Sequence, residues 1–214
     1  MLGIEALLLI PFAISSKLFN KEQRLIYIYL ISAVFYGLGC EVFARLYGNN
    51  MAFISCMMLI QFYILSFFYL RVLKSEKIHK AIRILLVACT VIFLADITVL
   101  EGYLKFNSIF ISIRTFVLIV YAILFFLQLT RDENLIEQSI FINSLPVFWF
   151  NAGLFVEMCC SFMLNLSYNM IQQAGPQEVL VNMYRITAAL TWIAGIIQVF
   201  LFYIGLQKIK KAKA

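Results

Sequence analysis

The hydrophobic pattern of the chain consists of long apolar segments separated by short polar ones. A helix rises about 1.5 Å per residue, so about 20 apolar residues cross a hydrocarbon core of roughly 30 Å. The segments predicted to span a membrane are 2–16, 25–46, 51–70, 84–100, 107–129, 146–166 and 179–206. The pattern therefore predicts an all-α polytopic integral membrane protein, a seven-transmembrane-helix bundle that forms a single domain over residues 1–214.

Composition supports a bilayer as the environment of this chain. Hydrophobic residues make up 64% of the chain and charged residues only 13%, against about 25% charged residues in soluble domains. The net charge is +6, but the basic residues flank the apolar segments, so membrane topology explains them. We therefore expect the lipid bilayer to be a partner and expect no nucleic-acid partner.

Lysine and arginine residues are unevenly distributed between the two sides of the predicted bundle. Most of the 17 lie in the first, third and fifth connections and in the tail, above all in segments 71–83 and 208–213. The second, fourth and sixth connections contain only Arg45 and Lys105. Because cytoplasmic connections carry the excess of basic residues, we predict that the N-terminus lies outside and the C-terminus in the cytoplasm. No basic residue precedes the first apolar segment, which indicates a retained helix rather than a cleavable signal peptide.

Ionisable side chains also occur inside the predicted spans, where a lipid-facing charge costs at least ~2.5 kcal/mol on insertion scales. Glu157 is the deepest of them, and Arg114 and Arg185 are expected roughly 10 Å below the outer surface. Glu41 and Arg45 are four residues apart and are expected to pair on one helix face. If these charges turn inward, they meet in a polar cavity that is open to the outside.

We predict that Arg114 and Arg185 supply counter-charges for carboxylates inside the spans, because a guanidinium group can bind two carboxylate oxygens at once. These carboxylates are Glu157, Asp96 and Glu5. Tyr121 and Trp192 each follow one of these arginines by one heptad and are expected to lie beneath it. Such a pocket suits a small polar ligand. The predicted ligand-binding residues are Glu157, Arg114, Arg185, Glu41, Asp96, Tyr121 and Trp192.

The same charges have a purely structural interpretation. They can form interhelical ion pairs that only fix the packing, and Glu5 and Asp96 are the residues expected to reach the outer interface instead. The inner half of the predicted bundle carries neutral polar residues, namely Gln128, Asn151 and Gln198.

Motifs of catalysis are missing from the sequence. The only histidine is His79, in a basic segment, and neither a Gly-x-Ser-x-Gly nor a phosphate-binding glycine loop occurs. Every lysine lies outside the core of a predicted span, which excludes a retinal Schiff base. We therefore expect a protein that is not an enzyme and that has no cofactor and no metal.

Two short motifs and the helix layout carry a resemblance to known proteins. Tyr47-Gly48-Asn49-Asn50 precedes the third predicted span, and Pro146-Val147-Phe148-Trp149 begins the sixth. In these features the chain resembles small seven-helix inner-membrane proteins of bacteria, some of which resemble the membrane halves of seven-helix sensor kinases. The resemblance implies a bacterial inner-membrane location and assigns no role to individual residues.

Two functions remain open from the sequence. The first is a receptor-like sensor module that signals through a separate protein at the cytoplasmic face. The second is a small-solute or proton-coupled transporter, favoured by a Gly-Leu-x-x-Glu pattern at residues 37–41 and again at 153–157. Such a repeat is typical of two three-helix units joined by a fourth helix, the 3+1+3 arrangement of small sugar transporters.

Overall fold

The computed structural model describes residues 2–132, 141–173 and 178–213, and these form seven principal helices. No residue in these ranges lies in a β-strand. The helices are α1 (Leu2–Ile14), α2 (Lys21–Tyr47), α3 (Met51–Val72), α4 (Glu76–Ala95), α5 (Ser108–Thr130), α6 (Pro146–Gln173) and α7 (Glu178–Lys213). The all-helical prediction is confirmed for this part of the chain.

Six of the described helices are long and apolar enough to cross a membrane. They are α2 to α7, and their length and composition agree with the predicted helical membrane protein. The first predicted span differs, because α1 has only 13 residues and a length of about 20 Å at 1.5 Å per residue. By length alone α1 therefore falls short of the hydrocarbon core, which is roughly 30 Å thick.

Several helix ends lie beyond the predicted boundaries. Helix α4 begins at Glu76, so most of the segment expected to be a basic connection is helical. Helix α6 continues to Gln173 and α7 reaches Lys213. In the connection before α6, residues 142–144 form a short 3-10 helix, and residues 133–140 lie outside the described part of the chain.

A tight turn joins α2 to α3. Helix α2 ends at Tyr47, and Gly48 follows with φ of 68°, a conformation that glycine adopts without strain. The side chain of Asn49 accepts a hydrogen bond from the Met51 N–H at 2.8 Å. Asn50 donates to the carbonyl oxygen of Cys40 at 3.1 Å and fastens the turn to α2.

Helices α6 and α7 pack against each other more extensively than any other described pair. A Cβ atom on Gly153 of α6 would lie 2.9 Å from the ring of Phe202 on α7, and one on Gly205 of α7 would lie 2.6 Å from the ring of Phe150 on α6. The two glycines thus admit two aromatic rings, whose centroids are 5.6 Å apart. This close packing positions the part of α6 that carries Glu157.

Helix α4 illustrates how the bundle divides its surface between core and lipid. Its buried side chains are Ile82, Leu86, Cys89 and Phe93. Its exposed apolar side chains include Ile84, Val87, Val91 and Leu94. Both faces of the helix are apolar, which is expected where the solvent is hydrocarbon.

Candidate functional site

A cavity of about 340 Å³ that is lined by both polar and apolar side chains lies between five of the helices. Helices α2, α3, α5, α6 and α7 line it, and Phe106 contributes from the connection before α5. Apolar side chains such as Met58 and Met158 form part of the wall. The polar lining residues are Tyr29, Tyr36, Gln61, Arg114, Glu157, Ser161, Asn165, Thr191 and Gln198.

Arg114 is the cationic residue of this wall. The buried side chains of α5 include Phe110, Ile111, Leu118 and Tyr121, a helical stripe that also contains Arg114. The residue is 4% exposed. Its Nη1 donates a hydrogen bond of 2.7 Å to the carbonyl oxygen of Met58 on α3. Its Nε has no hydrogen-bond acceptor among the described protein atoms.

Glu157 on α6 lines the same cavity and carries the opposite charge. Its carboxylate interacts electrostatically with the Arg114 guanidinium. Such attraction is strong inside a bundle, because the low dielectric of the interior screens charges far less than water does. Glu157 and Arg114 therefore line the same cavity from two different helices.

Neutral polar groups from α3 and α7 complete the wall. Gln61 and Gln198 are both buried, and both line the cavity. The Nε2 donor of Gln198 has no hydrogen-bond partner among the described protein atoms. The cavity thus combines one cation, one carboxylate and several hydroxyl and amide groups, a donor and acceptor set suited to a small polar molecule.

The structure does not place Glu41 in this cavity. The Nε of Arg45 donates to Glu41 Oε1 at 2.7 Å, so the predicted local pair forms. The side chain of Glu41 is 65% exposed and that of Arg45 is 78% exposed. They satisfy each other on the surface of α2 rather than turning inward. Glu157, by contrast, lines the cavity. The glutamates of the two Gly-Leu-x-x-Glu copies, Glu41 and Glu157, therefore lie in different environments and are not structurally equivalent.

Asp96, predicted as a ligand-binding residue, is buried but does not line the cavity. It begins a π-helical turn, Asp96–Leu100, at the end of α4. Its Oδ2 accepts a hydrogen bond of 2.9 Å from the Phe110 N–H, and its carboxyl group lies beside that of Glu101. A carboxylate at a helix N-terminus satisfies free N–H groups and complements the helix dipole. Asp96 therefore fastens α4 to the start of α5, the helix that carries Arg114.

The remaining predicted site residues also lie away from the cavity wall. Arg185 is exposed on α7, and Trp192 is 58% exposed on the same helix. Thr191 of α7 does line the cavity. Because successive residues are rotated by about 100° around a helix, Arg185 lies on a different face of α7 from Thr191. Tyr121 is buried, but its ring packs against Tyr69 with centroids 5.4 Å apart. The side chain of Glu5 lies outside the described part of the chain.

The neutral polar residues expected in the inner half have separate roles. Asn151 accepts a hydrogen bond from the Tyr69 hydroxyl at 2.8 Å and donates to the carbonyl oxygen of Ala122 at 3.2 Å. Gln128 donates to the carbonyl oxygen of Val72 at 2.9 Å. These two residues join helices, and of the three only Gln198 lines the cavity.

Several polar residues that line the cavity were not among the predicted site residues. They are Tyr29, Tyr36, Gln61, Ser161, Asn165 and Thr191. One signal was available for some of them, since Tyr29 and Tyr36 are seven residues apart and therefore lie on one face of α2. Within the described ranges, no three His, Cys, Asp or Glu residues come together as a metal site.

The fold and the cavity are those of a helical protein suited to a membrane, with two opposite charges in a cavity between its helices. Comparison of the chain with protein-family models, with curated proteins and with solved structures found no match.

Proposed function

We propose that the protein is a receptor-like sensor module that binds a small polar ligand in the cavity between α2, α3, α5, α6 and α7. The observation that carries this proposal is the placement of Arg114 and Glu157, from two different helices, in one cavity. Charges held inside a membrane bundle are costly, so they are expected where they serve a ligand, an ion or a switch.

The proposed topology follows from the basic residues. In this proposal the short helix α1 crosses where the bilayer thins locally around it. Together with the six long helices it then gives seven spans, with the N-terminus outside and the C-terminus in the cytoplasm of a bacterial inner membrane. In this orientation Arg114 lies about 9 Å from the outer start of α5, at 1.5 Å per residue. Reporter fusions to the C-terminus test the orientation: a cytoplasmic reporter such as green fluorescent protein is expected to be active, and a periplasmic one such as alkaline phosphatase inactive.

A signal would leave the bundle through a separate protein. The start of α4 carries Lys77, Lys80 and Arg83 near the proposed cytoplasmic face, and α7 ends in a lysine-rich stretch. Helices α6 and α7 pack closely, and Glu157 and Thr191 of these two helices line the cavity. A ligand that contacts both residues would therefore alter the α6–α7 contact, and this change would be transmitted along α7 to its basic end. These basic residues would also contact anionic lipids at the cytoplasmic face. The separate signalling protein is therefore proposed from the sensor function and not from these residues alone.

A transporter of a small solute is the second candidate, favoured by the depth of the cavity. The lining extends from Phe106, next to the start of α5, to Tyr29, about 12 Å from the proposed cytoplasmic start of α2. A carboxylate such as Glu157 at intermediate depth is also the kind of group that carries protons in transporters.

Uptake into proteoliposomes separates the two candidates. The purified protein and its Glu157→Gln variant are reconstituted, and accumulation of labelled small solutes is measured with and without a proton gradient. The sensor proposal predicts ligand-dependent thermal stabilisation with no flux. Flux that is lost in Glu157→Gln and retained in the surface variant Glu41→Gln would favour the transporter.

A further inference from the structure

We propose that the ligand of the cavity is a small zwitterion, a molecule with one anionic and one cationic end such as an amino acid. This inference rests on the proposed role of the cavity as a ligand site and names the chemical class that the site would select.

The anionic end is assigned to Arg114. One N–H of its guanidinium is used by the Met58 carbonyl oxygen, and Nε is left without an acceptor among the described protein atoms. A guanidinium carries five N–H donors and accepts no hydrogen bond, so Arg114 can bind further acceptors besides the Met58 carbonyl oxygen. Gln198 adds a second buried donor without a partner, its Nε2. A carboxylate is the group that best satisfies such a set, because charge-assisted hydrogen bonds are about twice as strong as neutral ones.

The cationic end is assigned to Glu157. Its carboxylate lines the same cavity as Arg114. Because both residues line one cavity of about 340 Å³, a small molecule bound there can contact both of them. An ammonium group placed at Glu157 would leave the carboxylate of the same ligand directed to Arg114 and Gln198.

Charge balance distinguishes a zwitterion from the other possible classes. Among the described lining residues, Arg114 is the only basic residue and Glu157 the only acidic one, so their formal charges sum to zero. A ligand with a net charge would leave that charge uncompensated in a medium of low dielectric. An uncharged polyol would offer these two charges only neutral hydrogen bonds, which are weaker than charge-assisted ones. A zwitterion is complementary to both charges and keeps the site neutral.

The size of the cavity agrees with a small metabolite. Its volume of about 340 Å³ lies at the lower end of the range of about 300–1,000 Å³ typical of small-molecule sites. The wall also includes Met58, Phe106, Met158 and Leu164, which would contact an apolar side chain on the ligand.

The test uses the full chain in lipid nanodiscs and measures thermal unfolding with four sets of probes at millimolar concentration. The first set contains the common amino acids, γ-aminobutyrate and glycine betaine. The second contains the matched monocarboxylates, the third the matched monoamines, and the fourth monosaccharides. We expect at least one zwitterion to raise the unfolding temperature, and we expect its deaminated and decarboxylated analogues to have little effect.

Charge variants then test the assignment of the two ends. Arg114→Gln and Glu157→Gln are each expected to weaken zwitterion binding by about tenfold or more, because each removes a charge-assisted contact. Glu157→Gln is also expected to bind the monocarboxylate analogue better than the wild type does, and Arg114→Gln the monoamine analogue. A purely structural role would not produce this reciprocal change of preference. Glu41→Gln, on the exposed pair, is expected to leave binding unchanged.

The outcomes separate this inference from the proposed function. Binding of monosaccharides, monocarboxylates or monoamines in preference to zwitterions would overturn the inference and leave a ligand-binding module standing. A folded, monodisperse wild type that binds no probe of any set would overturn both. If Arg114→Gln does not fold, Glu157→Gln with its expected gain of monocarboxylate binding decides the question by itself.

Discussion

Arg114 Nη1 donates a hydrogen bond of 2.7 Å to the carbonyl oxygen of Met58, which joins α5 to α3 across the bundle. This bond uses a carbonyl that belongs to the hydrogen-bonding system of α3, so it fixes the height and direction of the guanidinium. The same side chain lines the cavity that contains Glu157. Arg114 therefore has a structural contact and a cavity-facing charge at once, and the two roles predict different consequences of substitution.

The first prediction concerns the coupling between Arg114 and Glu157. Replacement of either residue by methionine is expected to lower the free energy of unfolding, because the remaining charge loses its counter-charge inside the bundle. The double variant is expected to lose less than the sum of the two single losses, by about 1 kcal/mol or more. Denaturant unfolding in detergent micelles measures these differences.

Glu41 and Arg45 form the matched control for this cycle. Their pair is equally a carboxylate and a guanidinium, but both side chains are mostly exposed. Exposed pairs four residues apart contribute only about 0.3–0.5 kcal/mol. A coupling for Arg114 and Glu157 as small as that of the control pair would contradict the first prediction.

The second prediction concerns the carboxylate that caps α5. Asp96→Ala removes the acceptor of the Phe110 N–H, and loss of such a cap costs about 0.5–2 kcal/mol. Asp96→Asn keeps a side-chain oxygen and is expected to lose less. Hydrogen exchange of the amides at the start of α5, together with unfolding measurements, checks the order. Equal stability of Asp96→Ala and wild type would show that the cap is dispensable.

The third prediction concerns the contact of α6 with α7 at Gly153. A Cβ at this position would lie 2.9 Å from the Phe202 ring and 3.2 Å from the backbone oxygen of Gln198. Gly153→Ala is therefore expected to destabilise the bundle by about 1–3 kcal/mol, the usual cost of overpacking. Thermal unfolding of the purified protein measures the loss.

A compensating change makes this third prediction more specific. Phe202→Leu reduces the ring that faces Gly153 and is expected to restore part of the stability in the Gly153→Ala background. The backbone oxygen of Gln198 cannot move away in the same manner, so the restoration is expected to be incomplete. Losses that simply add in the double variant would argue against a steric cause.

The fourth prediction concerns the buried hydrogen bond between Tyr69 and Asn151. Tyr69→Phe removes the donor of the 2.8 Å bond and leaves Asn151 Oδ1 buried without it. An unsatisfied buried polar atom costs about 1–3 kcal/mol. Asn151→Leu is expected to cost more, because Ala122 loses a hydrogen bond as well. The measurement is again unfolding in micelles, and no loss in Tyr69→Phe would contradict the prediction.

The helices and most of their boundaries could be predicted from the order of residues alone. Insertion of a helix depends mainly on the summed hydropathy of one continuous segment, which is a local property of the chain. Six long apolar helices follow the predicted spans for this reason. The first predicted span, 2–16, was the exception, because α1 contains only 13 residues, with Pro11 near its end, and is shorter than a membrane span.

The site could be predicted only in part. Glu157 and Arg114 were identified because a charge inside a span is expected to face protein or water, and both line the cavity. Arg185 satisfied the same criterion and is exposed. The buried side chains of α7, such as Gln198, Phe202 and Leu206, lie on the face that meets the rest of the bundle, and Arg185 does not share that face.

By itself, the sequence determined which segments leave water and which of them carry charge, because both are properties of single segments. Only the tertiary structure decided which charges share a cavity. The rotation of each helix about its axis depends on the shapes of its neighbours, as when Gly153 admits the ring of Phe202. That rotation, and not the presence of a charged residue, turned Glu157 toward Arg114 and left Glu41 and Arg45 paired on the surface.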